Sequence, residues 1–272
     1  MPRGPQDESK RRGGGSMGAV EYQKKNHLSI IALNRPEKLN TFTEEMFVAL
    51  RECWTRFYED EDAWIAILTA RGKSFSAGAD KEWFRKTLAG EASVETFAKL
   101  TEKDPYWSGK LDKPVIAAVN GFCIGAGVDL VLRADMRTAA QGAWFQQIEV
   151  QRGNVAFFFD NLPGAIAAEM ISGFRITAQR AYEVGMINRV IPEDQLMDKT
   201  MELAEELLTR QPLALYHALK LLRDMKNASA VVPRNLIDRY TTELSKALMH
   251  TEDWKEGAVA FLGKKTPVYK KR

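Results

Sequence analysis

Two rhythms of apolar and polar positions run along this chain. Leu28 to Asn34 (LSIIALN) is a short apolar run rich in β-branched residues and ended by Arg-Pro, which predicts a buried strand. Thr41-Phe-Thr-Glu44 fits a capping box with Thr41 as N-cap, and Met46, Phe47, Leu50, Trp54 and Phe57 follow at helical spacing. Ala63 to Ala70 (AWIAILTA) predicts a second strand, a polar helix-rich stretch covers Asp80 to about Lys110, and Lys113 to Gly121 (KPVIAAVNG) predicts a third strand. Strand, helix and strand repeated in this way imply parallel pairing through crossovers. After about Pro163 the rhythm is helical: AIAAEMISG, AQRAYEVGMI, LMDKTMELAEELLTR, LALYHALKLLRDM, Asn235 to His250 and Glu252 to Leu262. The pattern therefore describes one α/β core followed by a helical C-terminal region.

Composition narrows the partners. A chain of 272 residues, 45% hydrophobic, can bury one substantial core. Its 39 basic and 36 acidic residues leave a formal charge of +3, which argues against a dedicated nucleic-acid binder. Cys53 and Cys123 form no ligand cluster and read as reduced thiols, and His27, His217 and His250 have no partner at metal spacing. No metal is expected. No apolar run reaches membrane-spanning length. Residues 1–16 (MPRGPQDESKRRGGGS) are polar, charged and Gly-rich and are expected to be disordered. They contain no apolar core for a secretion signal, and their acids argue against a mitochondrial presequence, so a cytoplasmic location is expected.

Candidate chemistry lies beyond the second and third strands, in FSAGAD (Phe75 to Asp80) and GFCIGAGVDL (Gly121 to Leu130). Each places small residues just past a strand's carboxyl end, where ligands bind in open α/β sheets. Small residues let backbone N–H groups approach a ligand, and at a helix N-terminus those groups are unpaired and partly positive. Two such turns side by side could give two donors to one oxygen, the geometry of an oxyanion hole. The alternative is that Gly-Ala-Gly only permits tight helix–sheet packing. A dinucleotide fingerprint lacks its third glycine, and no phosphate-loop motif is present.

Two acids stand among apolar neighbours, Asp129 on the first turn of the helix after Gly-Ala-Gly and Glu149 in AWFQQIEVQRG. Burial raises a carboxyl's pKa toward the range of a general acid or base at neutral pH. The alternatives are that Asp129 caps its helix and that Glu149 pairs with an arginine such as Arg152.

Together these segments resemble the crotonase family, the enoyl-CoA hydratases and isomerases, from about Val20 to the C-terminus. LNRPEKLNTF resembles the family's CoA-binding segment, FSAGAD and KPVIAAVNGFCIGAGVDL its two oxyanion-hole segments, FRITAQRAYEVGMINRVIP its following helix-turn-strand, and EGAVAFLGKKTPVYKKR its terminal helix. The resemblance implies a crotonase-like ββα spiral core over residues 17–200, and a C-terminal helical region, 201–272, that mediates homotrimers, often paired as homohexamers. It implies an acyl-CoA thioester substrate, as in fatty acid metabolism, with no separate cofactor because coenzyme A is part of the substrate. Nucleic acid and membrane are not expected partners. Carried over by position, the oxyanion donors are the N–H groups of Ala79 and Ala126. Lys38, Leu39 and the Ala77 carbonyl match CoA-holding segments, with Gly78, Asp80 and Gly125 in the turns beside them. Lys264 and Lys265 match a region near the CoA phosphates.

The resemblance also implies that Asp129 and Glu149 stand where hydratases carry two glutamates, which hold the water that adds across the α,β double bond. Asp129 is one methylene shorter, a retreat of roughly 1.5 Å, and misplacement on that scale costs on the order of a hundredfold in rate. An Asp–Glu pair also resembles the dienoyl-CoA isomerases, but their further aspartate is here Phe157. The segment GNVAFFFDNLPGAIAAEM lacks the family's usual glycines. Phe157, Phe158 and Phe159 either line an acyl pocket or fill core, and Asp160 lies beside them. The expected function is enoyl-CoA hydratase, with enoyl- or dienoyl-CoA isomerase, or CoA binding with altered catalysis, as alternatives.

Overall fold

Residues 15–89, 91, 99–149, 162, 164–227, 247, 251–262 and 265–272 are described by the computed structural model. Strands β1 (Gly15–Met17), β2 (Val20–Lys25) and β3 (Leu28–Leu33) form an antiparallel meander at one edge of a sheet. Asn26, at φ +54°, turns the two-residue hairpin between β2 and β3. Gly15 and Ser16 thus pair with β2, and the stretch expected to be disordered gives way to strand before residue 17. The rest of that expectation, residues 1–14, lies outside the described residues.

After β3 the chain repeats one unit. Strands β4 (Ile65–Ala70), β6 (Val115–Val119) and β8 (Met136–Ala140) lie parallel beside β3 and, with β11 (Arg189–Ile191), complete a seven-stranded sheet of order β1-β2-β3-β4-β6-β8-β11. Each of these three strands is followed within a few residues by a short one, β5 (Ser74–Ser76), β7 (Phe122–Ile124) and β9 (Trp144–Gln146). With β10 (Ile176–Thr177), the short strands make a second sheet of order β10-β9-β7-β5, in which β5, β7 and β9 run parallel. Helices then carry the chain back. They are α1 (Glu44–Glu59) after β3, α2 (Lys81–Leu88) after β5, α3 (Ala126–Leu132) after β7 and α4 (Gly164–Ile171) after β9.

The apolar runs explain the core. Every residue of β4 and β6 is buried, as expected of parallel strands covered on both faces. Helix α1 sends Met46, Phe47, Leu50, Trp54 and Phe57 inward. Its N-cap is Thr43, whose Oγ1 accepts from the Met46 N–H at 3.2 Å. Thr41, expected to cap, instead donates its hydroxyl to Asp80 Oδ2 at 2.8 Å, because Leu39 and Asn40 turn left-handed and send it toward the neighbouring loop.

Helices α5 (Ala178–Glu183), α6 (Leu196–Leu208), α7 (Pro212–Asn227) and α8 (Glu252–Leu262) follow. Helix α6 packs on β4, β6 and β8, and Thr200 Oγ1 lies 2.7 Å from Thr138 Oγ1. It therefore covers the core sheet, and the boundary expected at residue 200 falls inside one helix. Asn235 to His250 lies mostly outside the described residues.

Candidate active site

The repeat brings three segments to one place. The chain leaves β5 into Ala77-Gly78-Ala79, β7 into Gly125-Ala126, and β9 into Gln147-Ile148-Glu149. Since β5, β7 and β9 are parallel neighbours, these segments leave the same end of one sheet. The carboxyl end of parallel strands is where α/β folds bind ligands.

The first segment is tied down from outside. Ala77 N–H donates to Leu39 O at 2.9 Å, Phe42 N–H to Gly78 O at 2.9 Å, and Asp80 N–H to Phe42 O at 3.0 Å. Ser76 Oγ donates to Asn40 O at 2.7 Å and accepts from Gly78 N–H at 3.1 Å. Asn40 is itself buried, and its Nδ2 reaches Arg71 O and Ser74 O at 2.9 and 3.0 Å. Asp80 accepts from Thr41 and from the Glu82 N–H at the start of α2, and Arg35 stands 3.8 Å away. The Glu82 N–H, Thr41 and the cations Arg35 and Lys38 hold its carboxyl below the ordinary range, against a smaller effect of burial. Asp80, expected at the substrate, thus has its carboxylate engaged by the protein itself.

The second segment lies against the first. Gly78 and Gly125 have φ of +85° and +53°, conformations that favour glycine. A Cβ on Gly78 would stand 3.1 Å from Ile124 O and 3.8 Å from Gly125 Cα. The residues that follow these glycines, Ala79 and Ala126, are both part-exposed, and neither N–H has an acceptor among the described residues. Ala126 opens α3, where an N–H has no partner within the helix.

The acids complete the cluster. A Cβ on Gly125 would meet Glu149 Oε1 at 2.9 Å, so the Glu149 carboxylate lies over the second turn. Asp129 sits on the first turn of α3, its N–H donating to Gly125 O at 3.3 Å. It is 9% exposed, and Gln147 Nε2 donates to its Oδ1 at 2.7 Å. Burial, and next the charge of Glu149, push the Asp129 carboxyl up to about 8; the Gln147 bond and Arg133 oppose that shift. A neutral acid beside a second carboxylate can hold and pass on a proton near neutral pH.

The remaining expected residues are spread around this cluster. Lys38 is exposed at the end of a short 3-10 turn, and Leu39 follows it in the left-handed region at φ +52°. Lys265 is exposed, with its N–H on Ala260 O. Phe157 to Phe159, Asp160, Arg152 and Lys264 lie outside the described residues. Gln147 escaped the sequence reading, although strand alternation sets it on the same inward face as Phe145, where a polar residue signals a bonded role. Both cysteines are buried and free. Among the described residues no group of acids, histidines or cysteines is arranged to hold a metal, and no helix is long and apolar enough to cross a membrane.

Comparison with known proteins agrees with this architecture. The family model described as enoyl-CoA hydratase/isomerase matches residues 23–272. Carnitinyl-CoA dehydratase of Salmonella enteritidis is 36% identical over 256 residues, which are 89% of this chain and 94% of that protein. Among solved structures, an enoyl-CoA hydratase/isomerase from Mycobacterium paratuberculosis is similar with a TM-score of 0.84 at 29% identity, over 94% of this chain and 100% of that one. Enoyl-CoA hydratase from Bacillus anthracis gives 0.83 at 28% identity, over 93% and 100%. Spanned almost end to end by that family model and carrying its relatives' fold, the chain belongs to the enoyl-CoA hydratase/isomerase, or crotonase, family.

Proposed function

We propose that this chain is an enoyl-CoA hydratase, with Asp129 and Glu149 as its acid pair and the N–H groups of Ala79 and Ala126 as its oxyanion hole. One observation carries the reading. The turns holding Ala79 and Ala126 touch through Gly78 and Gly125, and the Glu149 carboxylate lies over the same glycine. A thioester oxygen set between the two N–H groups brings its acyl chain under the acids.

Hydration then runs as a balanced exchange. The ionised member of the pair takes a proton from water as the water oxygen bonds to the β-carbon. The double-bond electrons move toward the carbonyl, and the resulting enolate oxygen is held by the two N–H groups. A proton from the pair then goes to the α-carbon and the carbonyl re-forms. The pair starts and ends with one proton, so its titration belongs to both acids together. Lys38, Leu39 and Ala77 are assigned to the CoA moiety, whose binding needs no further cofactor. The relative's name, carnitinyl-CoA dehydratase, describes the reverse of such an addition. We assign α7 and α8 to contacts between copies in a trimer or hexamer; Leu222, Met225 and Trp254 are large apolar residues exposed there.

The test is turnover of aliphatic and cyclic enoyl-CoA esters in oxygen-18 water, with a parallel run in deuterium oxide and a mass readout; carnitinyl-CoA, the starting side of a dehydration, is followed instead by loss of one water. Hydration predicts gain of one labelled water, abolished by Glu149→Gln. Solvent deuterium entering without oxygen would instead establish an isomerase. CoA-ester binding with turnover unaffected by Glu149→Gln would remove these acids from the chemistry.

A further inference from the structure

Gln147 is 1% exposed on the segment that leaves β9 toward Glu149. One end of its amide is accounted for: Nε2 donates to Asp129 Oδ1 at 2.7 Å. That bond serves either protonation state of Asp129, because a neutral carboxyl keeps an acceptor oxygen. The other end is not accounted for. Oε1 is buried and accepts from no donor among the described residues. Buried amide oxygens are nearly always bonded, and one left alone calls for a donor from outside the chain. For packing alone, a methionine of similar shape would fill the same place without stranding an acceptor.

Covalent geometry says where this acceptor stands. The two ends of an amide are roughly 2.3 Å apart, so Oε1 lies within about 5 Å of Asp129 Oδ1. Glu149 is two residues along the same segment, and its carboxylate lies over Gly125, whose carbonyl takes the Asp129 N–H. Oε1 is thus a fixed acceptor beside the acid pair. The reaction has need of one. The water that adds to a double bond has two O–H bonds and must turn a lone pair to the β-carbon. One O–H goes to the ionised acid that takes its proton. Unless the second O–H is also held, the water swings about the first bond and its lone pair strays from the line of attack.

We propose that Gln147 is a further catalytic residue: anchored through Nε2 on Asp129, it presents Oε1 to the second O–H of the attacking water and so turns the water's lone pair to the β-carbon. This rests on the reading of the chain as a hydratase. The water gives one proton to the ionised acid and its oxygen to the β-carbon. The O–H on Gln147 stays intact and leaves as the hydroxyl of the product, so the amide is neither protonated nor consumed.

The experiment compares two reactions of the full-length protein. Hydration of an enoyl-CoA ester in oxygen-18 water needs the positioned water. Exchange of the α-hydrogens of a saturated acyl-CoA ester in deuterium oxide uses the oxyanion hole and the acids but adds no water. A loss that acts through Asp129 or through the fold lowers both rates, so their ratio isolates the water. In Gln147→Met the ratio of hydration to exchange falls by about tenfold, the size of one hydrogen bond made at the transition state. The loss is in kcat, with KM for the ester little changed. A ratio equal to that of wild type, whether both rates fall together or neither does, overturns the proposal and leaves Gln147 a support for Asp129 beside a structural water. Should Gln147→Met not fold, Gln147→Asn, which keeps an amide but draws it back by one methylene, is judged by the same ratio. Wild-type protein that exchanges α-hydrogens yet adds labelled oxygen to no ester sinks the hydratase reading and this proposal with it, an outcome the wild type alone reveals.

Discussion

Gly78 and Gly125 meet backbone to backbone: a Cβ on either would stand 3.8 Å from the Cα of the other. Both have positive φ, so a side chain at either position is strained even where space exists. At Gly125 there is no space, because Glu149 Oε1 lies 2.9 Å from where the Cβ would be. Gly125→Ala is therefore expected to displace Glu149 and lower kcat for enoyl-CoA hydration by on the order of a hundredfold. Gly185→Ala is the control. It has φ +73° and nothing within 4 Å, so it should cost about 1–2 kcal/mol of stability and leave kcat unchanged. Equal kcat in the two variants would show that the contact with Glu149 is immaterial.

The Asp129 carboxyl makes a second prediction, on stability. Its pKa is about 8 in the folded chain against an ordinary 3.8. Between those values the native state keeps a proton that the unfolded chain has released, so stability falls as pH rises through the window. Asparagine cannot titrate. Relative to wild type, Asp129→Asn should therefore gain about 1.4 kcal/mol for each pH unit crossed, up to about pH 8. Urea denaturation of both proteins at pH 5, 7 and 9 measures this. A constant difference would mean that Asp129 ionises in the folded protein much as it does in the unfolded chain.

The apolar runs made β3, β4 and β6 legible because buried parallel strands are continuous in hydrophobicity. The second sheet was not legible for a physical reason. β5, β7 and β9 are three residues each, and β5 and β7 run straight into glycine turns, so none shows a period. The two glycine turns could be found as turns, yet their contact depends on those unseen strands lying side by side. β2 reads VEYQKK, too polar in its second half to announce itself, and it pairs only because β3 is beside it. Asp129 and Glu149 stood out as acids in apolar company. Gln147 did not, since an amide is unremarkable until its partner is known.

Asp80 ties the expected CoA-side loop to the first glycine turn, through Thr41 on one side and the α2 N-terminus on the other. Asp80→Ala removes both attachments. Asp80→Asn keeps a competent cap, since asparagine serves as well as aspartate there. Alanine should cost about 1 kcal/mol of stability from the cap and lower kcat/KM, because Ala79 is next in the chain. Asparagine should recover most of the stability. Thr41→Val leaves the cap whole, so its effect should appear in kcat/KM with little change in melting temperature. Equal kinetics in Thr41→Val and wild type would show that the loop-to-turn bond does not position the site.

Arg223 of α7 and Asp135, in the connection just before β8, form a forked pair, with Nε on Oδ1 at 2.8 Å and Nη2 on Oδ2 at 2.6 Å. Asp135 is only 5% exposed at its side chain, and its Oδ2 also accepts the Val115 N–H of β6 at 2.9 Å. Arg223 further donates to the carbonyls of Leu111 and Lys113, so one side chain docks α7 on the end of the core sheet. A buried pair is weak evidence of net stabilisation, but removing one partner strands the other. Arg223→Met should therefore cost about 3–5 kcal/mol, seen as a lower urea midpoint and as faster proteolysis within α7. Adding Asp135→Asn relieves the stranded charge while the amide still accepts from Val115, so the double variant should be more stable than Arg223→Met alone. If the two losses simply add, the carboxylate gains nothing from the arginine, and α7 is held by its apolar face.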